Sequence, residues 1–321
     1  MDEKERLLQI RHGYSVQGWT LLIYYGIMNV AVFGVTIIST IVHSIQMAAA
    51  GKDLDMNTLL EQVMADTGWG YLVSIAAGLL ILLLWKKPAY FSQVLLAKGQ
   101  PMGFGRFMAI LSVFMSGQLI FQIVTMVLDW LLSGIGISLQ ASMPEISTDA
   151  PSMFLYVGFA APIAEELLFR GVLLRGLLPD GKKSAIIVTS LLFGLFHGNL
   201  MQAPYAFAVG LVFGYVAVEY NILWAMVLHM FNNLIISDVL VRLGKFLPGV
   251  WGDVLLWAII IGFSVAALVI VIVKMPKIIA YLRREQSDPL CVKAFFTAPG
   301  MVTVATLLTM LILSSLLLTM R

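Results

Sequence analysis

Between Trp69 and Trp85 the chain reads WGYLVSIAAGLLILLLW, without one charged side chain. A second run of the same kind extends from Leu307 to Leu318. A helix needs about 20 apolar residues to cross a bilayer. A transmembrane β-barrel would instead show short segments of alternating polarity. These runs are continuous, so they read as membrane-spanning helices. Working outward, similar stretches fall at 19–43, 108–133, 153–178, 184–200, 204–219, 222–241, 254–273 and 300–320, which with 69–85 makes about nine spans. The expected fold class is all-α, a polytopic transmembrane helical bundle.

Composition points the same way. Of 321 residues, 60% are hydrophobic and 12% charged, and mean hydropathy is +0.93. Soluble domains carry roughly 25% charged residues, so this chain cannot coat a water-facing surface of its own size. That excludes a soluble enzyme, a disordered chain, a disulfide scaffold and a nucleic-acid binder. The net charge of +2 is too small to argue for a polyanionic partner. The single cysteine, Cys291, cannot form an internal disulfide. The first apolar run is too long, and its mixed-charge leader (Asp2, Glu3, Lys4, Glu5, Arg6) too acidic, for a cleavable signal peptide. No soluble domain is expected before or after the membrane part.

Lysine and arginine placement sets the orientation. Lys4, Arg6 and Arg11 precede the first span, and Lys86, Lys87, Lys98 and Arg106 join the second and third. Arg170, Arg175, Lys182 and Lys183 mark the junction of the fourth and fifth, and Lys274, Lys277, Arg283, Arg284 and Lys293 that of the last two. The alternate connections are acidic: 44–68 carries Asp53, Asp55, Glu61 and Asp66 against Lys52, and 134–152 carries Glu145 and Asp149. This alternation puts the N-terminus in the cytoplasm, with Arg242 and Lys245 the exception. Leu54–Val63 and Tyr90–Leu96 have amphipathic character, but solvated loops are the expectation for both.

Ionisable groups inside spans are costly and are functional candidates by default. They cluster here. Glu165 and Glu166 are adjacent, so on a helix they point about 100° apart. Glu166 and Arg170 are four apart and can pair on one face. Glu165 is left without a partner in its own helix, which suits a general base. The bland alternative places both glutamates in cytoplasmic water at the end of the fourth span. Phe193 precedes His197 by one turn and is placed to hold its ring. Gly194 and Gly198 form a small-xxx-small face for a close neighbour. A lone histidine bonded to a backbone carbonyl is the alternative. His229 and Asn233, also four apart, share a face, either as two donors to one oxygen or as interhelical glue.

Depth brings these groups together. Glu165 lies about 14 residues before the Pro179–Lys183 turn and His197 about 14 after it, roughly 20 Å at 1.5 Å per residue. His229 and Asn233 lie about 12 to 18 Å beyond the Glu219–Asn221 turn by the same arithmetic. All four therefore share one slab if the fourth, fifth and seventh spans are neighbours. His12, His43, Gln118, Gln122, Asp129, Asp238 and Glu219 read as interfacial or packing residues. Gly210 and Gly214 read as a second packing pair.

One carboxylate, two histidines and an asparagine suit hydrolysis at an acyl carbon. Glu165 takes a proton from water that His197 orients. His229 and Asn233 donate to the oxyanion. A metal version uses Glu165, His197 and His229 as zinc ligands with an open position for water. The usual His-Glu-x-x-His zinc helix is absent, and the residues leave both versions open.

The series Glu165-Glu166-x-x-x-Arg170, Phe193-x-x-x-His197 and His229-x-x-x-Asn233 resembles the three-motif signature of the CPBP family. That family contains the type II CAAX prenyl endopeptidases and the Abi bacteriocin-processing and self-immunity proteins. The resemblance covers roughly residues 150–240. It implies an intramembrane endopeptidase, often called a metalloprotease, with Glu165 as base and His197 activating water. His229 and Asn233 are then the oxyanion pair, and Glu166, Arg170 and Phe193 structural or substrate-orienting. The chain then divides into N-terminal transmembrane helices and loops (1–150), a CPBP-like catalytic core (151–241) and C-terminal transmembrane helices (242–321). The expected partners are a peptide or protein substrate and membrane lipid. A non-catalytic immunity or scaffold protein is the main alternative. A transporter or proton relay ranks lower, because no internal repeat is visible. The simple polytopic chain suits a bacterial plasma membrane.

Overall fold

The computed structural model describes residues 2–51, 53, 55–134, 148 and 150–317. Every regular element among them is helical. Lys52, Leu54, Glu145 and Asp149 lie outside the described residues, as does the side chain of Asp238.

Among the described residues, five helices are long and apolar enough to cross a membrane: α1 (Glu3–Ala49), α3 (Thr67–Lys86), α5 (Phe104–Ser133), α13 (Trp251–Arg284) and α15 (Pro299–Leu317). The chain fits a multi-pass membrane protein on that ground. With 47 residues, α1 is about 70 Å long, well beyond a hydrocarbon core of about 30 Å. The excess is not idle. Ile10, Tyr14 and Gln17 are buried, and α1 packs along α3, α15 and the short α14 (Leu290–Thr297). Its start is fixed by a reciprocal cap, Asp2 accepting from the Glu5 amide at 2.7 Å and Glu5 from the Asp2 amide at 3.2 Å. Where α1 crosses α15, a Cβ on Gly18 would stand 2.2 Å from the backbone of Gly300. Only glycine permits that approach.

The two segments expected as solvated loops are helical. α2 (Met56–Ala65) is capped by Asp55, whose carboxylate accepts from the Thr58 amide at 3.0 Å. α4 (Pro88–Leu95) begins on a proline, which needs no N–H there.

The region between α5 and α13 is built differently. The expected span 153–178 is a chain of short pieces: α6 (Pro151–Leu155), a π-helical turn Tyr156–Ala160, α7 (Ala161–Glu166), a π-helical run Leu167–Leu174, α8 (Arg175–Leu177) and a 3₁₀ turn Leu178–Asp180. Pro162 has no N–H for the carbonyl four residues back, which accounts for the helix opening just ahead of it. α9 (Lys182–Phe196) packs against α10 (Gln202–Glu219). α11 (Ile222–Met230) runs through a third π segment, Phe231–Val239, into α12 (Leu240–Lys245).

One end of the bundle gathers the turns expected on one side of the membrane. Arg6 pairs with Asp180 at 3.1 Å and Asp288 at 2.9 Å. Lys182 pairs with Glu219 at 3.1 Å and Glu285 at 3.4 Å. Tyr281 also donates to Glu219 at 2.9 Å. In this end layer the backbone amide of Leu290, reinforced by Arg6, holds the Asp288 carboxyl below the usual aspartate range. Burial pushes the Asp180 carboxyl up. Cys291, which falls between the last two expected spans, is buried on α14 beside Ser184.

Candidate active site

The site is organised by one fully buried carboxylate. Glu166 Oε1 accepts from Arg170 Nη1 at 3.0 Å and from His229 Nδ1 at 3.0 Å. Both glutamate and arginine are out of contact with solvent, so the bland placement in cytoplasmic water fails for Glu166. The four-residue spacing between them survives the switch to π-helix at Leu167. Arg170 Nη2 donates to the Gly210 carbonyl at 3.1 Å. Its guanidinium lies 4.5 Å from the Phe193 ring centroid and 5.4 Å from that of Phe213. A side chain on Gly210 would come within 3.3 Å of Arg170 Nη2. Gly210 therefore serves the ion pair as well as helix packing. Glu166 Oε2 and Arg170 Nε are buried without hydrogen-bond partners.

A carboxylate accepts, so His229 Nδ1 carries its proton and Nε2 is the nitrogen turned to the site. Glu165 Oε2 lies 3.8 Å from it. The His229 ring stacks on Phe213 at 4.9 Å and meets Phe193 edge-on at 5.7 Å. Adjacent Glu165 and Glu166 thus approach one histidine through its two nitrogens.

His197 caps the C-terminal end of α9. Its Nδ1 donates to the Phe193 carbonyl at 2.8 Å, which leaves Nε2 as an acceptor. Phe193 also braces the ring edge-on at 4.9 Å. The helix stops here because Gly198 takes a φ of +69° and has open space around it. Gly198 therefore ends a helix and does not form half of a packing pair, which corrects the small-xxx-small reading. Gly194 does admit a neighbour, since a Cβ there would sit 2.6 Å from the Ala203 carbonyl.

Asn233 falls in the π segment, so the α-helical reading of a face shared with His229 does not carry over unchanged. Asn233 Nδ2 donates to the Val157 carbonyl at 3.0 Å, and its Oδ1 accepts from Asn232 at 2.9 Å. Asn232 in turn accepts from Tyr205 at 2.9 Å and from Gln118 at 3.0 Å. Gln118, expected to be a packing residue, therefore reaches the site through a polar chain. Tyr24 and Tyr156 lie within electrostatic range of Glu165. Nothing in the sequence singles out Phe213, Tyr24 or Tyr156. The neighbouring Asn232-Asn233 pair was the one available signal for the polar chain.

Both histidines spend Nδ1 on an acceptor and keep Nε2, as zinc histidines do. Among the described residues, however, no trio of His, Cys, Asp or Glu is placed to hold a metal ion. The expected ligand set Glu165, His197 and His229 does not form a cage as it stands.

Residues 147–235 match the family described as Type II CAAX prenyl endopeptidase Rce1-like. This segment, about a quarter of the chain, is similar to Rce1-like proteins. The CPBP resemblance of the three motifs holds over it. All seven residues singled out in the sequence fall inside the Rce1-like segment. No curated protein and no solved structure matches the chain.

Proposed function

We propose that the chain is an intramembrane endopeptidase that hydrolyses a peptide or membrane-protein substrate with a glutamate-activated water. The observation that carries this reading is the buried Arg170–Glu166–His229 set, which turns His229 Nε2 toward Glu165 inside the Rce1-like segment. Glu165 takes a proton from water while His197 Nε2 accepts the water's other hydrogen and orients it. The water oxygen bonds to the scissile carbonyl carbon, and negative charge moves to the carbonyl oxygen. His229 Nε2, when the ring carries both protons, and the second hydrogen of Asn233 Nδ2 hold that oxyanion. Collapse breaks the C–N bond, and the proton held by Glu165 passes to the leaving amine. The products are a new carboxyl and a new amine, and no step is routed through a metal.

The same reading takes 151–241 as the catalytic core, with 1–150 and 242–321 as flanking helices. It places the N-terminus in the cytoplasm and counts the four segments between 151 and 245 as further crossings, about nine in all. The basic connections and the end layer around Arg6 and Lys182 support that orientation. A CAAX-type prenylated substrate follows only from the family description, whereas a bacterial plasma membrane would favour a peptide precursor.

Purified wild type, Glu165→Gln and Glu165→Ala are each incubated with fluorogenic peptides and candidate precursors, with and without a chelator. The expected result is cleavage by wild type, unaffected by chelation and reduced about 10²- to 10⁴-fold in a Gln variant of unchanged melt. Loss on chelation with recovery on adding zinc would replace the glutamate mechanism by the metal version. A bacteriocin-resistance phenotype that survives Glu165→Gln, with no cleavage by wild type, would favour the immunity or scaffold reading.

A further inference from the structure

A cavity of about 170 Å³ lies between the segment after α4, the helical pieces from Arg170 to Leu178, and the turn that follows α10. Lys98, Arg170 and Arg175 are among its lining residues, but the Arg170 side chain is fully buried and turned to Glu166, so the cations available to the cavity are Lys98 and Arg175. Lys98 is exposed and Arg175 half-buried. Lys98 and Arg175 make no ion pair with any carboxylate among the described residues. Arg175 makes one long bond, from Nη2 to the Val94 carbonyl at 3.5 Å. A guanidinium has five N–H donors, so most of this group's capacity is unspent.

The neighbouring carboxylate is spoken for. Glu219 Oε1 accepts from Lys182 and Tyr281, and Oε2 from Gln100 at 3.2 Å. The segment that carries Lys98 is also fixed on both sides. Asn221 Nδ2 donates to the Leu95 carbonyl at 3.2 Å and to that of Ala97. The Gln100 amide donates to the Glu219 carbonyl at 2.9 Å. Between them Gly99 lies so close under Tyr220 that a Cβ would fall 1.5 Å from its carbonyl oxygen. A surface lysine on a free loop would be an ordinary solvated charge. Here the backbone around Lys98 is pinned beside an arginine that lacks a counter-ion, over a cavity.

We propose that this cavity binds a phosphate group, presented either by an anionic lipid headgroup or by a free phosphate. The cavity sits among the ends of helices at the layer holding the Glu219–Lys182 pair, where headgroups would lie. Basic pockets between transmembrane helices bind anionic headgroups by the same electrostatics. The anion supplies the countercharge that Lys98 and Arg175 lack. Binding does not depend on whether Glu165 is catalytic, so its test and the cleavage test fail separately.

The full chain is melted by tryptophan fluorescence at constant ionic strength. One arm uses vesicles of phosphatidylcholine alone and of phosphatidylcholine mixed with phosphatidylglycerol. The other titrates inorganic phosphate against chloride in detergent. A ligand that binds only the folded state raises Tm. The expected result is a rise in at least one arm, which identifies the source, and a loss of at least half of it in the Lys98→Gln, Arg175→Gln double variant. Lys98→Gln alone changes an exposed side chain and should fold as wild type, with a smaller rise. Arg175→Lys keeps the charge and should keep the rise. No rise in either arm, or a rise undiminished by the double substitution, overturns the proposal. So does a loss in Arg175→Lys as large as in the double variant, since the cavity's shape rather than its charge would then set the effect.

Discussion

α13 and the segment from α6 to α12 are both helical and apolar, yet they follow different rules. In α13 only 6% of the most apolar window is buried, and residues such as Val265, Leu268 and Ile272 face outward. Its helix runs without a π turn. The α6–α12 region contains all the described π-helical segments, and Glu166, Arg170 and His229 are buried within it. A regular helix needs only apolar side chains to sit in lipid, because its backbone bonds are internal. A site needs side chains at spacings that a regular helix does not offer, and π turns recur at such places. One region is shaped by its solvent and the other by its own contacts.

The comparison is tested most severely at the buried ion pair. Arg170→Met should cost roughly 3–5 kcal/mol, because it leaves Glu166 buried without its main counter-charge. His229 would lose its fixed orientation as well. Replacing Arg170 and Glu166 together by apolar residues should cost less stability than Arg170→Met alone, yet still lose the orientation of His229. Thermal melts of the three proteins check this. A neutral Arg170→Met would mean that the buried polar residues do not organise this region.

The same contrast explains what could be read from sequence. Continuous runs such as Leu79–Leu84 marked the lipid-facing helices, since hydropathy is all those helices need. The Glu166–Arg170 pair followed from a spacing of four, and the approach of Glu165 to His229 agrees with their similar distances to the turns. The rest depended on contacts remote in sequence. The Gly210 carbonyl under Arg170, Phe213 beneath His229 and the chain from Gln118 to Asn233 have no local signature. Asn233 was assigned a shared face with His229 by assuming an α-helix, and the π segment starting at Phe231 alters that geometry. Gly198 was read as a packing surface because spacing alone does not report φ.

The α1–α15 crossing is a third case, where close contact serves regular helices. Gly18→Val would drive side-chain carbon into the backbone of Gly300. Overpacking of this kind should cost about 1–3 kcal/mol. Limited proteolysis should then cut near α15 sooner than in wild type. Activity per folded molecule should stay the same if the Rce1-like segment holds its own geometry, and a fall would show that the flanking helices help to shape the site.

A smaller effect is expected in the end layer. The Asp288 carboxyl is held low in the folded state, so its contribution is present above the ordinary aspartate range, about pH 4. It is lost as pH falls through the folded value. Asp180, raised by burial, works in the opposite sense. Asp288→Asn should therefore melt below wild type near neutral pH, and the gap should close on acidification. A constant gap would show that Asp288 acts through packing rather than charge.

The smallest expected effect, at Ile272 on α13, separates the two regions most directly when set beside a buried leucine. Leu168, fully buried, should cost about 2–5 kcal/mol on change to alanine, from lost contacts and a cavity. Ile272, 62% exposed on α13, should cost under about 0.5 kcal/mol in a bilayer, near the value for neutral surface sites. Water plays no part in the second case. Truncating Ile272 trades side-chain contact with lipid for lipid contact with a smaller residue, and lipid tails close the gap that a packed core cannot. If Ile272→Ala lowered Tm as much as Leu168→Ala, the outward face of α13 would have to pack against protein, such as a second copy of the chain, rather than lipid.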